Sequence, residues 1–541
     1  MKIAIAQINC TVGDLQGNSA KIMDYANRAK SQGARILLTP ELALSGYPPE
    51  DLLLREGFNA SCEEALAELA MQVQGITVVV GHPDTVGDKR YNAASVLQDG
   101  KIVATYHKHC LPNHTVFDEV RYFTSGTEAC VFELDGIKFG INICADIWDE
   151  GSCGNGSSVT GKARDAGAQV LLVLNASPYH MEKQGERYQV LRQRIQETGM
   201  SMIYTNFVGG QDELVFDGGS FAMDKSGNLT QQLPAFKEAL GFVTLDNAVP
   251  VAGEIEPLLS LEASIYQALC LGVKDYVDKN GFPGIELGLS GGIDSALTLA
   301  IAVDALGASR VHAVMMPSQF TADMSLEDSR IMAETLGVRY SEISIKPMFD
   351  AFLSSLAEEF EDLPFDLTEE NIQARVRGTM LMAMSNKYGT IVLTTGNKSE
   401  MAVGYATLYG DMAGGFAVLK DVHKTMVYRL ARYRNTLGEA IPERVITRAP
   451  SAELRANQTD QDALPPYDVL DVIMERYVEQ DQCPQDIVAA GYAAEDVRRV
   501  VRLIDLNEYK RRQAPVGIRI TRRGFGKDRR YPITSKYRPK V

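Results

Sequence analysis

Gly288-Leu289-Ser290-Gly291-Gly292-Ile293-Asp294-Ser295 lies between an apolar run, Ile285 to Leu289, and a helical pattern from Ala296 to Leu306. The run reads as a buried strand and the pattern as a helix, so the stretch between them is a glycine turn opening a helix. A turn of this kind points free backbone N–H groups and a helix dipole at an anion, which is the physical recipe for a phosphate cradle. A Walker loop, G-x-x-x-x-G-K-[ST], would add a lysine for the outer phosphates, and that string does not occur. The plainer alternative, a Ser/Gly turn with an N-cap, is disfavoured by the flanking strand and helix.

Around this stretch the chain has 541 residues. At roughly 100 to 200 residues per domain, that allows three domains or two large α/β ones. Composition, 45% hydrophobic and 23% charged, is that of an ordinary soluble globular protein. A net charge of −16 argues against general affinity for nucleic acid or an anionic membrane. The opening Met1 to Gln7 reads as a strand rather than a signal peptide, and no run of about 18 apolar residues follows, so a cytoplasmic protein is expected. The eight cysteines include no C-x-x-C pair, so neither a zinc ribbon nor a disulfide framework is expected, which leaves room for a reactive thiol.

Residues 1 to about 246 alternate short apolar strands with amphipathic helices. The periodicity predicts strands at Lys2–Ile8, Ile36–Thr39, Thr77–Gly81, Ala93–Gln98, Lys101–Tyr106, Ile137–Ile143, Val170–Asn175 and Ser201–Asn206. Helices are predicted at Asn18–Gln32, Ser61–Gln74, Gly161–Ala166 and Glu186–Gly199. Glu41, Lys108 and Cys144 each follow a strand, where an α/β sheet opens onto its site. A thiol near its ordinary pKa is only a few per cent thiolate at neutral pH, so a nucleophilic Cys144 needs a base, and Glu41 can serve. Attack on an amide creates an oxyanion, for which Lys108 can supply the charge. His107, His109 and Cys110 could tempt a metal reading, but the adjacent Lys108 repels a cation.

Pro40-Glu41, Lys108-x-x-Leu111-Pro112 and Cys144-x-Asp146-x-Trp148 resemble the Glu-Lys-Cys site of the nitrilase-like amidases. The resemblance implies an α-β-β-α sandwich and a thioester mechanism. Within that superfamily, Leu111-Pro112-Asn113 through Val116-Phe117-Asp118-Glu119-x-Arg121-Tyr122-Phe123 looks like the glutaminase domain of glutamine-dependent NAD synthetases. That resemblance implies that His114, Glu119, Ser177 and Lys183 serve glutamine, with Glu119 a supporting carboxylate near the triad. The sequence departs from the family at His114, where tyrosine is usual, and at Ala145, where glutamate is usual.

A proline-punctuated connector, residues 247–257, separates this half from 258–541. A helix is predicted at Leu258–Asn280, and strands at Val311–Met315, Tyr340–Ile345 and Ile391–Thr394, as in a doubly wound parallel sheet. Ser-Gly-Gly-x-Asp-Ser resembles the pyrophosphate loop of the ATP pyrophosphatases. With Glu370 to Arg377, Thr395-Gly396-Asn397-Lys398-Ser399-Glu400, Gly404 to Gly415, Ser451 to Asp460 and Leu464-Pro465-Pro466-Tyr467, it resembles the NAD synthetase domain. The resemblance implies ATP on Gly288, Leu289, Ser290, Gly291, Gly292, Ile293, Asp294, Ser295, Thr395 and Lys424, and Mg²⁺ on Asp294 and Glu400. It places deamido-NAD on Asn371, Arg375, Glu400 and Lys510, and implies a homo-oligomer through this domain. Between Glu508 and Val541 twelve Lys or Arg face two acids. Such a tail suits nucleic acid or a solvated surface, but its match to the family favours a dinucleotide pyrophosphate.

The expected reaction is release of ammonia from glutamine in the first domain, through a protected passage, to a carboxylate adenylated by ATP in the second. Three other readings are distinguishable. An amidotransferase acting on another carboxylate would lack the Asn371-to-Asp411 set. A tRNA-modifying enzyme would need broad basic surface and paired cysteines. A non-enzymatic scaffold would not respond to loss of Cys144.

Overall fold

The computed structural model describes residues 1–148, 158–361, 363–455, 458–462, 464–537 and 539–540. Cys153, one of the eight cysteines, Ala456 and Asn457 of the Ser451-to-Asp460 stretch, and Arg538 and Val541 of the basic tail lie outside the described residues. The chain forms two compact units, Met1–Gln211 with Val215–Leu259, and Asp212–Leu214 with Ser260–Val541.

The first unit is built on two sheets. One has seven strands in the order Val249–Pro250, Ala239–Asp246, Lys2–Gln7, Ile36–Leu38, Thr77–Val86, Lys89–Gln98, Lys101–His107. The other has six, in the order Leu229–Gln232, Phe221–Met223, Ser201–Asn206, Val170–Asn175, Ile137–Ile143, Val131–Leu134. Alternate side chains along each strand leave opposite faces, so a strand apolar on both faces must be covered twice. Ile3, Ile5, Leu38 and Val79 of the first sheet meet Ile141, Ile143, Leu172 and Ile203 of the second in one core. On the far face of the second sheet, Leu171, Val173 and Met202 pack with Ala163, Leu191 and Ile195 of the helices Val159–Asp165 and Lys183–Thr198. Helix Leu15–Ser31 is capped by Asp14, whose carboxylate accepts from Gly17 N, and it buries Ile22, Tyr25, Ala26 and Ala29. The layers are therefore those of the α-β-β-α sandwich.

Segment 247–257 is not free chain. Val249–Pro250 pairs with Ala239–Asp246, Gly253 N donates to Thr230 O and Glu256 N to Gln232 O. The prolines mark a sheet edge, where a missing N–H costs nothing. The cysteines depart from expectation at one position: Cys10, Cys62, Cys130, Cys144, Cys270 and Cys483 are free, whereas Cys110 is disulfide-bonded. A single pairing leaves no spacing signature for sequence reading to find.

The second unit holds an all-parallel sheet in the order Arg339–Glu342, Val311–Met315, Ile285–Gly288, Ile391–Thr394, Phe416–Ala417. Chain order is thus 3-2-1-4-5, and it reverses between Ile285–Gly288 and Ile391–Thr394. In a doubly wound sheet the crevice for a ligand lies at that switch, beyond the carboxyl ends of the strands. The long helix Leu261–Lys279 starts at Ser260, whose hydroxyl accepts from Ala263 N. Among the described residues no helix is long and apolar enough to cross a membrane.

Candidate active sites

In the first unit, three strand ends converge. Glu41 and Lys108 are fully buried and Cys144 nearly so. The Lys108 ammonium donates to Glu41 Oε1 at 2.7 Å and to Glu119 Oε1 and Oε2 at 2.9 and 2.8 Å. Asn92 Nδ2 also reaches Glu41 Oε1, at 2.7 Å, and the Ala176 N–H reaches Oε2 at 3.0 Å. Tyr47 donates its hydroxyl to Glu119 at 3.0 Å. Gly81 allows the backbone to pass behind the base, since a Cβ there would lie 2.4 Å from Leu42 N and 2.5 Å from Pro40 O.

Cys144 begins a short 3₁₀ turn with φ of +41°, a strained conformation for a non-glycine residue and one that clusters at functional sites. Asp146 pins this turn to the Lys108 loop. Its carboxylate accepts from the N–H groups of His109, Cys110 and Ile143 and from the Tyr106 hydroxyl, at 2.7 to 3.0 Å.

Burial pushes the Cys144 thiol well above its ordinary pKa; Glu41 adds to the rise and Lys108 opposes it. Burial also raises Glu119, to about 7, against the pull of Lys108. Burial alone would lower Lys108, but Glu119 and Glu41 outweigh it and hold the ammonium charged. The resting site is a neutral thiol beside a carboxylate base, with a fixed positive charge facing both.

Ser177 is buried and its N–H donates to Asn206 Oδ1 at 2.9 Å. The Lys183 ammonium lies 3.9 Å from the centre of the Trp148 ring and 3.0 Å from Glu186; burial lowers its pKa. His114 is exposed, with its ring edge-on to Phe117, so the structure does not bring it to the triad.

In the second unit the loop after Ile285–Gly288 is shaped by its own serines. Ser290 N and Gly292 O meet the Ser295 hydroxyl, and the Ser290 hydroxyl accepts from Gly292 N. Gly291 has φ of +78°, and a Cβ there would lie 2.7 Å from Ser325 O. Arg448 braces the loop by donating to Gly291 O and to the Ser325 hydroxyl, both at 2.9 Å. The second strand exit carries the helix Lys398–Val403, closed by a capping box in which Asn397 and Glu400 exchange bonds. Asn397 Nδ2 reaches across to Asp294 Oδ1 at 2.8 Å. Lys424 then links both carboxylates, 2.5 Å from Asp294 and 3.1 Å from Glu400. Burial raises Glu400 to about 8, opposed by Lys424 and reinforced by Asp294 and Asp460.

Asp294, Glu400, Lys424 and Arg448 line one cavity of about 270 Å³, along with Gly288, Leu289, Ser290, Gly292, Ile293, Ser295, Thr395 and Gly396, whereas Gly291 does not. Asn371, Arg375 and Lys510 do not line it. Asn371 accepts from the Thr407 hydroxyl, Arg375 is exposed and donates to Leu408 O, and Lys510 donates to Gly404 O and Ala406 O. Sequence reasoning gave no site role to Arg377 or Arg448 on the cavity wall, where Asp411 of the Gly404-to-Gly415 stretch also stands. Burial lowers Arg377 to about 10 and raises Asp411 to about 6. Arg377 and Asp411 stood within stretches already singled out; burial marks them, which a sequence does not display. Four cations of the basic tail are ion-paired within it: Arg519 with Asp528, and Arg511, Arg512 and Arg529 with Glu508.

No group of three or more His, Cys, Asp or Glu side chains forms a metal site among the described residues. Asp294 and Glu400 still offer two hard oxygen donors on one wall, and magnesium is commonly held by one or two carboxylates with phosphate oxygens and water completing the shell. A dication there would also ionise Glu400.

Residues 2–250 match the carbon-nitrogen hydrolase family and residues 265–514 the NAD synthase family. The glutamine-dependent NAD(+) synthetase of Acinetobacter baylyi is 49% identical over 543 residues, covering 99% of each chain. That of Xanthomonas campestris pv. campestris is 50% identical over 548 residues, covering 99% of this chain and 98% of its own. The solved structure of the glutamine-dependent NAD+ synthetase from Acinetobacter baumannii, in complex with ADP, is 46% identical and superposes with a TM-score of 0.80, covering 100% of this chain and 99% of its own.

Proposed function

The chain belongs to the glutamine-dependent NAD(+) synthetases, and from that premise we infer that its two units divide one reaction between them. The protein is a carbon-nitrogen ligase that amidates deamido-NAD to NAD⁺ with glutamine as amido donor and ATP as the activating substrate. Cys144 Sγ attacks the side-chain amide of glutamine, Glu41 takes the thiol proton, and Lys108 stabilises the oxyanion. Collapse of that intermediate expels ammonia, which carries away the proton from Glu41. Water, deprotonated by the same carboxylate, then hydrolyses the thioester to glutamate. Glu119 holds Lys108 on station, while Ser177 and Lys183 bind glutamine; His114 reaches the substrate only at the rim.

In the second unit the nicotinate carboxylate attacks the α-phosphorus of ATP, and pyrophosphate leaves onto the N–H groups and hydroxyls of Ser290 to Ser295. Asp294 and Glu400 would hold Mg²⁺, which offsets phosphate charge when bound. Thr395 binds the nucleotide, and Lys424 turns from the two carboxylates to the phosphates. Asn371, Arg375, Glu400 and Lys510 contact deamido-NAD. Ammonia attacks the adenylated carbonyl, and AMP departs with the former carboxyl oxygen, a far better leaving group than hydroxide. Ammonia is mostly protonated at neutral pH, so it travels by a protected passage; full competition by labelled ammonia in the medium would exclude one. A homo-oligomer forms through the synthetase unit, where Phe352, Leu363, Phe365 and Leu367 are 52 to 72% exposed, and the setting is the cytoplasm.

The observation that carries this reading is Lys108, fully buried yet bridging Glu41 and Glu119 beside a positive-φ Cys144. Cys144→Ala, assayed with both nitrogen sources, tests it: glutamine-driven synthesis is lost and ammonia-driven synthesis stays. Retention of glutamine-driven synthesis would end the reading.

A further inference from the structure

Arg187 is fully buried and, among the described residues, is the bulkiest side chain so placed. It stands one turn into the helix Lys183–Thr198, and neither Cys144 nor the acids around it need it as an ion-pair partner. Its charge is matched by Asp217, with Nη1 at 2.7 Å from Oδ2 and Nη2 at 2.8 Å from Oδ1. The fork does not stop at the carboxylate. Nη2 also donates to the Ser177 carbonyl at 2.9 Å and approaches its hydroxyl at 3.4 Å, while Nη1 reaches Gln184 Oε1 at 2.9 Å. From the other side Asn206 accepts the Ser177 N–H at 2.9 Å and donates to Gly218 O at 3.0 Å. Ser177 is therefore fixed at its nitrogen, carbonyl and hydroxyl by side chains from separate elements. The residue before it, Ala176, gives its N–H to Glu41. One two-residue stretch thus touches Glu41 and is held in place by Arg187 and Asn206.

We propose that Arg187 and Asp217 form a positioning pair that sets Ser177 for glutamine. This rests on the reading of Ser177 as a glutamine contact. Stability alone is a poor reason for such a pair, because replacing a buried ion pair by apolar groups of similar volume is often neutral or stabilising. What apolar groups do not supply is the rigid fork that grips a carboxylate and a carbonyl together. A loop that binds a small substrate needs that precision, since displacements near 1 Å at a reacting centre already cost activity.

The test is the full-length double variant Arg187→Met/Asp217→Leu, which leaves neither charge orphaned, with Arg187→Lys and Ser177→Ala beside it. The expected result is a wild-type melting curve, unchanged ammonia-driven NAD⁺ synthesis, and a glutamine KM raised about tenfold, the loss of roughly one hydrogen bond. Arg187→Lys keeps the pairing with Asp217 but gives up the second arm, so it should raise the glutamine KM by a smaller factor. A double variant whose glutamine KM stays within about twofold of wild type overturns the proposal. So does a parallel fall in both activities with early melting, which marks a structural role only. If the double variant does not fold, an unchanged glutamine KM in Arg187→Lys overturns it equally. Ser177→Ala separates the two levels: if it leaves the glutamine KM alone, the reading of Ser177 fails, whereas if it raises KM and the pair variants do not, only the positioning role falls.

Discussion

Replacing Lys108 by methionine removes one positive charge from between two carboxylates that are all but sealed from water. The Nζ lies 2.7 Å from Glu41 and 2.8 Å from Glu119, with side-chain exposures of 0, 0 and 7%. Coulomb's law at an effective dielectric of 20 gives about 6 kcal/mol for each contact, but most of that repays desolvation. Breaking a buried pair by removing one partner costs about 3 to 5 kcal/mol net. The charge left behind then controls the pH dependence. Glu119 titrates at about 7 with the ammonium beside it, because burial raises it and Lys108 pulls it back. Without Lys108 it rises further. A carboxyl raised above its unfolded value stabilises the fold fully below the unfolded pKa, and that contribution drains away as pH rises through the folded pKa. In the wild type the drain runs from the ordinary glutamate range to about 7; in the variant it continues above 7. The melting deficit of Lys108→Met should therefore widen from pH 6 to pH 9, measured by thermal unfolding on the full chain. Glutaminase activity should fall by about 10² to 10³, the loss of one oxyanion donor, with ammonia-driven synthesis intact. A deficit that shrinks with rising pH, or a glutaminase rate near wild type, would refute the reasoning.

Other expectations are as direct. Asp294→Asn with Glu400→Gln should abolish AMP formation from either nitrogen source while glutamate release persists, which a coupled assay reads. Gly81→Ala drives a Cβ against Pro40 O and Leu42 N, so Glu41 shifts and glutamine-driven kcat falls about tenfold or more, with ammonia-driven synthesis as the control. Asp146→Asn leaves at least one of three backbone N–H groups or the Tyr106 hydroxyl without an acceptor, costing about 1 to 3 kcal/mol in denaturant unfolding.

The central strands of both sheets were legible because buried strands are short apolar runs, and Val170–Asn175 and Ser201–Asn206 agree with expectation to the residue. The edge strands Val131–Leu134 and Val249–Pro250 and the strands Phe221–Met223, Leu229–Gln232 and Ala239–Asp246 were not read. The Gly288-to-Ser295 loop and the Glu41, Lys108 and Cys144 positions were legible because each follows such a run. The structure gathers the loop apart from Gly291, with Thr395, Glu400 and Lys424, on one cavity, but leaves Asn371, Arg375 and Lys510 off its wall and His114 exposed. Helix periodicity says which side of a helix is apolar, not which polar residue on it a distant loop will meet. For the same reason Arg187 and Asp217 could not be paired beforehand: thirty positions apart, each looks like a surface charge until the fold closes over both. The two acids of the tail were legible as a count, but not that Glu508 and Asp528 are buried.

The hydrogen bonds made by residues 249–256 bear on how the amide-hydrolysing half could be produced alone. Val249–Pro250 lies against the outermost long strand, Ala239–Asp246, and ends in a residue with no N–H to offer a newcomer. Trimming the chain at 246 would strip that cover and bare the end of this strand together with the edge at Thr230 and Gln232, an invitation to self-association. Trimming beyond 256 keeps the selvedge sewn, so the longer fragment should stay in solution where the shorter one clumps.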